Sequence, residues 1–168
     1  MQPFQASLSR KVVIITGFVA GILIAVAASA IASQRDMNQT ARATLIVLPF
    51  AALGVGLLFR VRGYDLEDDH IRVRRIAFPV RLPIAALKSV EKAPELMNRS
   101  VRTFGNGGLF GFYGRFWKPG LGKFTAYVTN PENTVVLKSD DRMIALSPDQ
   151  PRAFVQALRE KLGRTTHP

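Results

Sequence analysis

The chain has 168 residues and a formal net charge of +11, from 23 Lys and Arg against 12 Asp and Glu. It contains no cysteine, which excludes disulfides, thiolate metal sites and thiol catalysis. A strongly basic chain favours polyanionic neighbours, either nucleic acid or an anionic membrane surface. The length is sufficient for one small water-exposed core beside a membrane segment.

Two apolar stretches, residues 12–33 and 43–59, carry no charged side chain. At about 1.5 Å of helical rise per residue, the first covers the roughly 30 Å hydrocarbon core, and the second is at the short end of the usual range. A buried helix of a soluble domain would show a polar face and is seldom this long. A cleaved signal peptide would begin like Arg10-Lys11, but its apolar region would be shorter. The stretches therefore predict a transmembrane helical hairpin.

The immediate flanks of the hairpin do not settle its orientation, because the connecting loop also carries Arg35 and Arg42, so the orientation follows from the bases further along the chain. The connection, residues 34–42, is short, so the two helices are antiparallel and both chain termini lie on the same side. Positive side chains near membrane helices are retained in the cytoplasm. We therefore expect a multi-pass plasma-membrane protein with a cytoplasmic lead, residues 1–11, and a cytoplasmic domain, residues 60–168. The bases that decide the orientation are Arg72, Arg74, Arg75 and Arg81.

Beyond the hairpin, the hydrophobic period changes from helical to the two-residue alternation of half-buried strands. Turn clusters such as residues 67–69 separate the short runs, which number about seven, and Val90 is expected to close a first sheet. An amphipathic helix follows, beginning at Pro151, stopping at Gly163 and carrying Phe154 on its apolar face. The predicted fold class is a mainly β, two-sheet or partly open barrel with one C-terminal α-helix.

The most distinctive stretch is residues 105–117, in which glycines and aromatics alternate. The glycines do not fall as Gly-x-Gly-x-x-Gly between a strand and a helix, and Gly122-Lys123 lacks the neighbours of a nucleotide-binding loop. We therefore interpret the glycines as requirements of turns or close backbone approach, and the aromatics as core or groove-lining residues. The residues of this structural motif are Gly107, Gly108, Phe110, Gly111, Tyr113 and Gly114.

No catalytic, cofactor-binding or metal-binding residue is predicted. His70 has no second histidine or carboxylate at ligand spacing. The acidic pair at 140–141 lies in a turn, which suits solvent exposure better than acid–base chemistry. Ser147 precedes Pro148 in the turn before the last helix, rather than standing in Gly-x-Ser-x-Gly. We therefore interpret the chain as non-enzymatic.

The arginines that follow the second apolar stretch have two interpretations. They are either positive charge retained on a solvated face or contacts to anionic lipid headgroups, each contributing about 1 kcal/mol near an anionic surface. The strand that contains Arg72 and Arg74 begins only a few residues beyond the hairpin, which makes lipid contact feasible. The candidate lipid contacts are Arg60, Arg62, Arg72, Arg74 and Arg75.

Several short motifs across residues 63–162 carry a family resemblance. They are Tyr64-Asp65-Leu66, the glycine-rich centre 107–114, Leu121-Gly122, Tyr127-Val128-Thr129, and Leu146-Ser147-Pro148-Asp149 with Phe154. On these residues the chain resembles the bacterial pleckstrin-homology-like domains, in particular the membrane-anchored kind. The resemblance implies a fold more than an activity, because pleckstrin-homology folds serve lipid, peptide and assembly roles alike.

The favoured functional interpretation is a membrane-tethered adaptor whose domain binds a protein partner, or self-associates, at the inner face of the membrane. One alternative is a sensor of anionic lipid headgroups, and a weaker one is an accessory subunit of a membrane enzyme or transporter complex. No cofactor is expected. Nucleic acid is not expected either, because the polyanion nearest to a tethered domain is the lipid surface.

Reporter fusions test the predicted topology. A reporter that is active only outside the cytoplasm should be active when inserted at residues 34–42 and silent when fused after Pro168, because the clustered arginines retain the domain inside. The expectation fails if the inserted reporter behaves as cytoplasmic, or if the C-terminal reporter is active outside.

Overall fold

A computed structural model describes residues 1–32 and 38–165, with side chains described up to residue 163. Helix α1 spans Arg10–Ala32 and helix α2 spans Gln39–Leu58. Both predicted helices are therefore present. The expected connection, residues 34–42, lies partly outside the described residues, and its last four residues form the first turn of α2.

The two helices pack against each other through small residues and leave most of their apolar surface exposed. Ala27 and Ala30 of α1 are buried, and small side chains allow close helix approach. Phe18 of α1 is 71% exposed and Leu48 of α2 is 64% exposed. A core helix of a soluble domain would bury such side chains. By length and composition, both helices could span a membrane.

The first sheet has four strands in the order β1-β2-β3-β4, each antiparallel to its neighbour. Its edge strand β1 comes from the N-terminal lead and was not predicted. Pro3 in β1 fits an edge strand, because proline has no backbone N–H to donate to a ladder on the second side. The strands are β1 (Gln2–Gln5), β2 (Val61–Leu66), β3 (His70–Arg75) and β4 (Val80–Pro83).

The second sheet has the strand order β5-β9-β10-β8-β7-β6, and β8 and β10 are its parallel pair. The prediction that Val90 closes the first sheet is wrong, because Val90 in β5 pairs with Leu137 in β9. Alternation identifies strand residues but not their partners, and the short 3₁₀ turn Ile84–Ala86 redirects the chain to the other sheet. The strands are β5 (Ser89–Lys92), β6 (Val101–Gly107), β7 (Phe112–Lys118), β8 (Gly122–Val128), β9 (Val135–Lys138) and β10 (Met143–Leu146).

Helix α3, Pro151–Thr165, closes one end of the core between the two sheets. The ring of Phe154 is fully buried, 5.0 Å from the ring of Phe4 and 6.2 Å from that of Tyr64. The predicted start of this helix is confirmed. The predicted stop at Gly163 is wrong by two residues, because a single glycine costs a helix only about 1 kcal/mol and does not break it.

The outer face of the second sheet carries a smaller apolar cluster. Phe116, Phe124 and Ala126 are buried there, and Leu96 and Met97 cover them from the segment between β5 and β6. That segment shows no hydrophobic period, because only a few of its side chains pack against the sheet. The second sheet is therefore packed on both faces over part of its area.

Truncating Phe4 tests whether β1 is an integral strand. Phe4→Ala should lower the free energy of unfolding by about 3–5 kcal/mol, because it empties a site against Phe154. Trp117, the single tryptophan, lies in β7 and reports denaturant unfolding of the full chain in detergent. Gln5→Ala, on the exposed side of the same strand, is the control and should stay within about 0.5 kcal/mol. Equal small losses would show that β1 does not support the core.

Candidate functional site

The segment between β1 and α1 is bonded along its length to the β domain. The Ser7 backbone N–H and hydroxyl donate to the two oxygens of the Asp149 carboxylate, at 2.8 and 2.6 Å. The Ser9 N–H donates to the Thr129 carbonyl at 3.1 Å. The Ser9 hydroxyl accepts from the Val12 N–H at 3.2 Å, which caps the first turn of α1. Helix α1 therefore starts directly from the surface of the sheets.

A buried polar network holds the turn that supplies Asp149. The Tyr64 hydroxyl donates to the Tyr127 carbonyl at 2.6 Å and accepts from the Ser147 N–H at 2.9 Å. The Ser147 hydroxyl accepts from the Thr129 N–H at 2.8 Å. Burial raises the pKa of Tyr64 to about 12. Ser147 is thus engaged by backbone groups, and the Pro148 turn that follows it presents Asp149 to the N-terminal segment rather than to α3.

The turn between β6 and β7 docks onto both helices. The Thr16 hydroxyl in α1 accepts from the Phe110 N–H at 2.9 Å and donates to the Gly108 carbonyl at 3.3 Å. In α2, a β-carbon at Gly56 would lie 2.7 Å from Leu109 Cδ2, so a larger residue there would displace that side chain. The glycine-rich motif therefore contacts the helices through its tip, and Phe110 lies half-buried there.

The glycines of the motif have different local reasons. Gly114 has a φ of 118°, and a β-carbon there would clash with the Phe104 carbonyl across the β6–β7 ladder. Gly111 has a φ of 132°, and a β-carbon there would clash with the Tyr113 hydroxyl. A β-carbon at Gly107 would meet only the flexible side chain of an arginine, at 3.3 Å. Tyr113 belongs to the main core, where burial raises the pKa of its hydroxyl.

A second turn, between β3 and β4, lies at the C-terminal end of α2. The Ala77 N–H donates to the Leu58 carbonyl at 2.9 Å, and the Phe78 ring stacks on the Phe59 ring at 6.0 Å. Arg75 Nε donates to the Phe78 carbonyl at 2.9 Å. Phe78 is nevertheless 70% exposed. Two turns of the β domain therefore meet the helices at the same end of the hairpin.

The structure distributes the five candidate arginines unequally. Arg74 Nε lies 3.3 Å from Oδ1 of the buried Asp65, although the angle is poor for a hydrogen bond. The Arg75 guanidinium lies over the rings of Phe59 and Tyr127, at 5.4 and 5.6 Å, and burial lowers its pKa. Arg62 is the exposed member of the set. The half-buried members are Arg60, Arg72, Arg74 and Arg75.

His70 is held by two carboxylates of its own turn. Its Nδ1 is hydrogen-bonded to Asp69 Oδ1 at 2.6 Å, and its Nε2 lies 3.2 Å from Glu67 Oε2 without hydrogen-bond geometry. Ligand spacing along the sequence does not reveal these carboxylates, because the tight β2–β3 turn folds the chain neighbours of His70 back onto its ring. These contacts join the two ends of the β2–β3 turn.

Sequence reasoning missed Thr16 and Gly56 as contact residues. Threonine and glycine are common in apolar helices, where they also serve helix packing. The one usable signal is the Thr16 hydroxyl in an apolar stretch, because a polar group in a membrane helix is stabilised by a hydrogen-bond partner. Its partner, a turn almost 100 residues later, is set by the tertiary fold.

Two packed sheets closed at one end by a C-terminal helix define a domain of the pleckstrin-homology class. The chain belongs to the bacterial PH domain family, whose model matches residues 62–162. The resemblance predicted from the sequence motifs is thereby confirmed. Comparisons with curated proteins and with solved structures give no match. The matched residues begin within β2, so β1 and both helices lie outside the family region.

Enlarging Gly56 tests the docked turn. Gly56→Leu should displace Leu109 and speed hydrogen exchange of the Phe110 amide, without destabilising α2, because leucine is the better helix former. Gly54→Leu is the matched control, since nothing lies within 4 Å of a β-carbon there. Exchange is read by mass spectrometry on the peptide 105–114 of the detergent-solubilised chain. Equal exchange in both variants would contradict the docking.

Proposed function

We propose that the chain is a membrane-tethered adaptor, a binding module held at the cytoplasmic face of the plasma membrane by its helical hairpin. The exposed apolar surfaces of α1 and α2 support the tether, because lipid is the solvent that such surfaces match. The family supports a binding role, since pleckstrin-homology folds serve recognition in several forms.

One observation carries the proposal. The strands that lead into and out of the hairpin, β1 and β2, are paired neighbours in one sheet, with Phe4 opposite Tyr64. Both ends of the hairpin are thus attached to the same sheet. The β6–β7 and β3–β4 turns add further contacts to the helices. Such a domain is presented to partners at a fixed height and orientation rather than on a flexible linker.

The serine, histidine and aspartate side chains that catalysis would require have structural contacts, which favours binding over chemistry. Ser147 accepts two backbone N–H groups, from Thr129 and Asn130, which opposes its activation as a nucleophile. His70 hydrogen-bonds through Nδ1 to Asp69 of its own turn, and Glu67 lies beside its Nε2. Asp141 is engaged by Ser139 and Arg142. These contacts give each group a structural role.

The alternative, recognition of anionic lipid headgroups, is favoured by one residue in particular. Arg62 is exposed four residues beyond the end of α2, where a phosphate-rich interface would lie if α2 spans the bilayer. Arg60 is two residues before Arg62 in the chain. Arg75 lies beside it in the sheet, because Arg75 pairs with Val61. Contacts of Arg62 with lipid phosphates would also orient the domain if its main function is to bind a protein.

Extraction and co-purification from native membranes test the adaptor role. The tagged full chain should remain in the membrane after alkaline carbonate washing, and should co-purify with a defined protein partner after cross-linking and mild detergent extraction. Arg62→Gln is the control and should retain the partner. Release of the chain by carbonate would contradict the proposal that the hairpin anchors it in the membrane. A partner-free chain that carries anionic lipid, and loses it in Arg62→Gln, would establish the lipid alternative instead.

A further inference from the structure

The second sheet has an exposed surface that no described element covers. Alternate residues of β6, β7 and β8 share this face, because Val101 pairs with Trp117, Trp117 with Lys123, and Phe104 with Arg115. Phe104 is 73% exposed, Val101 57% and Trp117 41%. We call it the aromatic–basic surface, and its residues are Val101, Phe104, Arg115, Trp117 and Lys123.

The aromatic–basic surface continues the inner face of the sheet beyond the main core. Tyr113 in β7 points to the same side as Arg115 and Trp117, and it is buried against the first sheet. Tyr127 in β8 likewise packs on the core, whereas Lys123 is exposed. The first sheet thus covers only the half of this face that lies near the helices. Exposed aromatics beside arginine are typical of protein-binding surfaces.

The surface lies away from the helices. The β6–β7 turn is the end that docks on Thr16, and β7 runs from Phe112 at this turn to Lys118 at the opposite end. At about 3.3 Å per residue, Trp117 is roughly 17 Å further along the strand than Phe112. A bilayer around α1 and α2 is therefore not the natural occupant of this surface.

The charge of the surface indicates what it would bind. Three residues of the surface, Phe104, Arg115 and Lys123, line a groove of about 550 Å³ that extends to Arg142. The one acid among its lining residues, Asp141, is paired with Arg142 at 3.4 Å. No ion pair is described for Arg115 or Lys123 within residues 1–32 and 38–165. A second copy of the chain is a poor occupant, because each copy carries a net charge of +11.

We propose that the aromatic–basic surface is the docking site for an acidic peptide segment of a partner protein, with carboxylates on Arg115 and Lys123 and an apolar side chain on Phe104. This rests on the proposed adaptor function and names the chemistry of its partner. Because the site is wide and open, it suits an extended segment rather than a small molecule. Its affinity should fall with ionic strength, since the two cations are exposed to salt.

The test uses the full chain in nanodiscs of neutral lipid, with the emission of Trp117 as the signal. The probe is a soluble glutamate-rich peptide that contains two leucines, and its control replaces every glutamate with glutamine. The acidic peptide should change the emission and bind more weakly as salt rises. The double variant Arg115→Gln, Lys123→Gln should weaken binding about five- to tenfold, as expected for two exposed ion pairs. Phe104→Ala should weaken it as well.

A matched charge control decides whether binding is local. Lys92→Gln with Arg152→Gln removes two exposed bases at β5 and α3, away from this surface, and should leave binding unchanged. Equal weakening by both pairs, equal binding of the glutamine peptide, or no binding of the acidic peptide would overturn the proposal. A change of Trp117 emission in anionic nanodiscs without peptide would assign the surface to lipid instead. If a protein partner still co-purifies but the acidic peptide does not bind, the adaptor function is retained and the proposed docking site is rejected.

Discussion

The antiparallel pairing of β1 with β2 joins two segments that are separated along the chain by both helices. It buries Phe4 between Phe154 and the rest of the core, so the N-terminal lead is part of the domain. The entropy of closing this long loop is modest, because it grows only slowly with loop length and the helices order much of it. The consequence is geometric: the sheet holds the hairpin at both ends, and the start of α1 is bonded through Ser7 to Asp149.

The docked turn shows how a few atoms connect the helices to the sheets. The Thr16 hydroxyl donates one hydrogen bond and accepts another, which satisfies a carbonyl and an N–H of a turn that lacks ladder partners. Gly56 supplies the space for Leu109 beside it. Strand β7 begins just after this turn and ends in the aromatic–basic surface. One strand therefore links the helices to the proposed docking site.

The arginines of this basic chain differ in their contacts, and some are used inside the fold whereas others are exposed. Arg74 balances the buried Asp65, and Arg75 organises a turn and packs on aromatic rings. Exposed arginines such as Arg62 and Arg115 remain available for external anions. Net charge alone does not separate these groups, since the distinction depends on which carboxylate or ring the folded chain brings within reach.

The sequence by itself determined the two apolar helices, the strand-rich domain, the helix that begins at Pro151 and the family, because hydrophobic period, capping residues and turn motifs are local properties. Tertiary structure alone decided that Val90 joins the second sheet and that residues 2–5 form a strand. A segment that short has too little alternation to be recognised, and its partner lies beyond the hairpin. The contact of Thr16 with Gly108 likewise has no local signature. Each of these depends on pairing energy between distant segments, which a pattern within one segment does not encode.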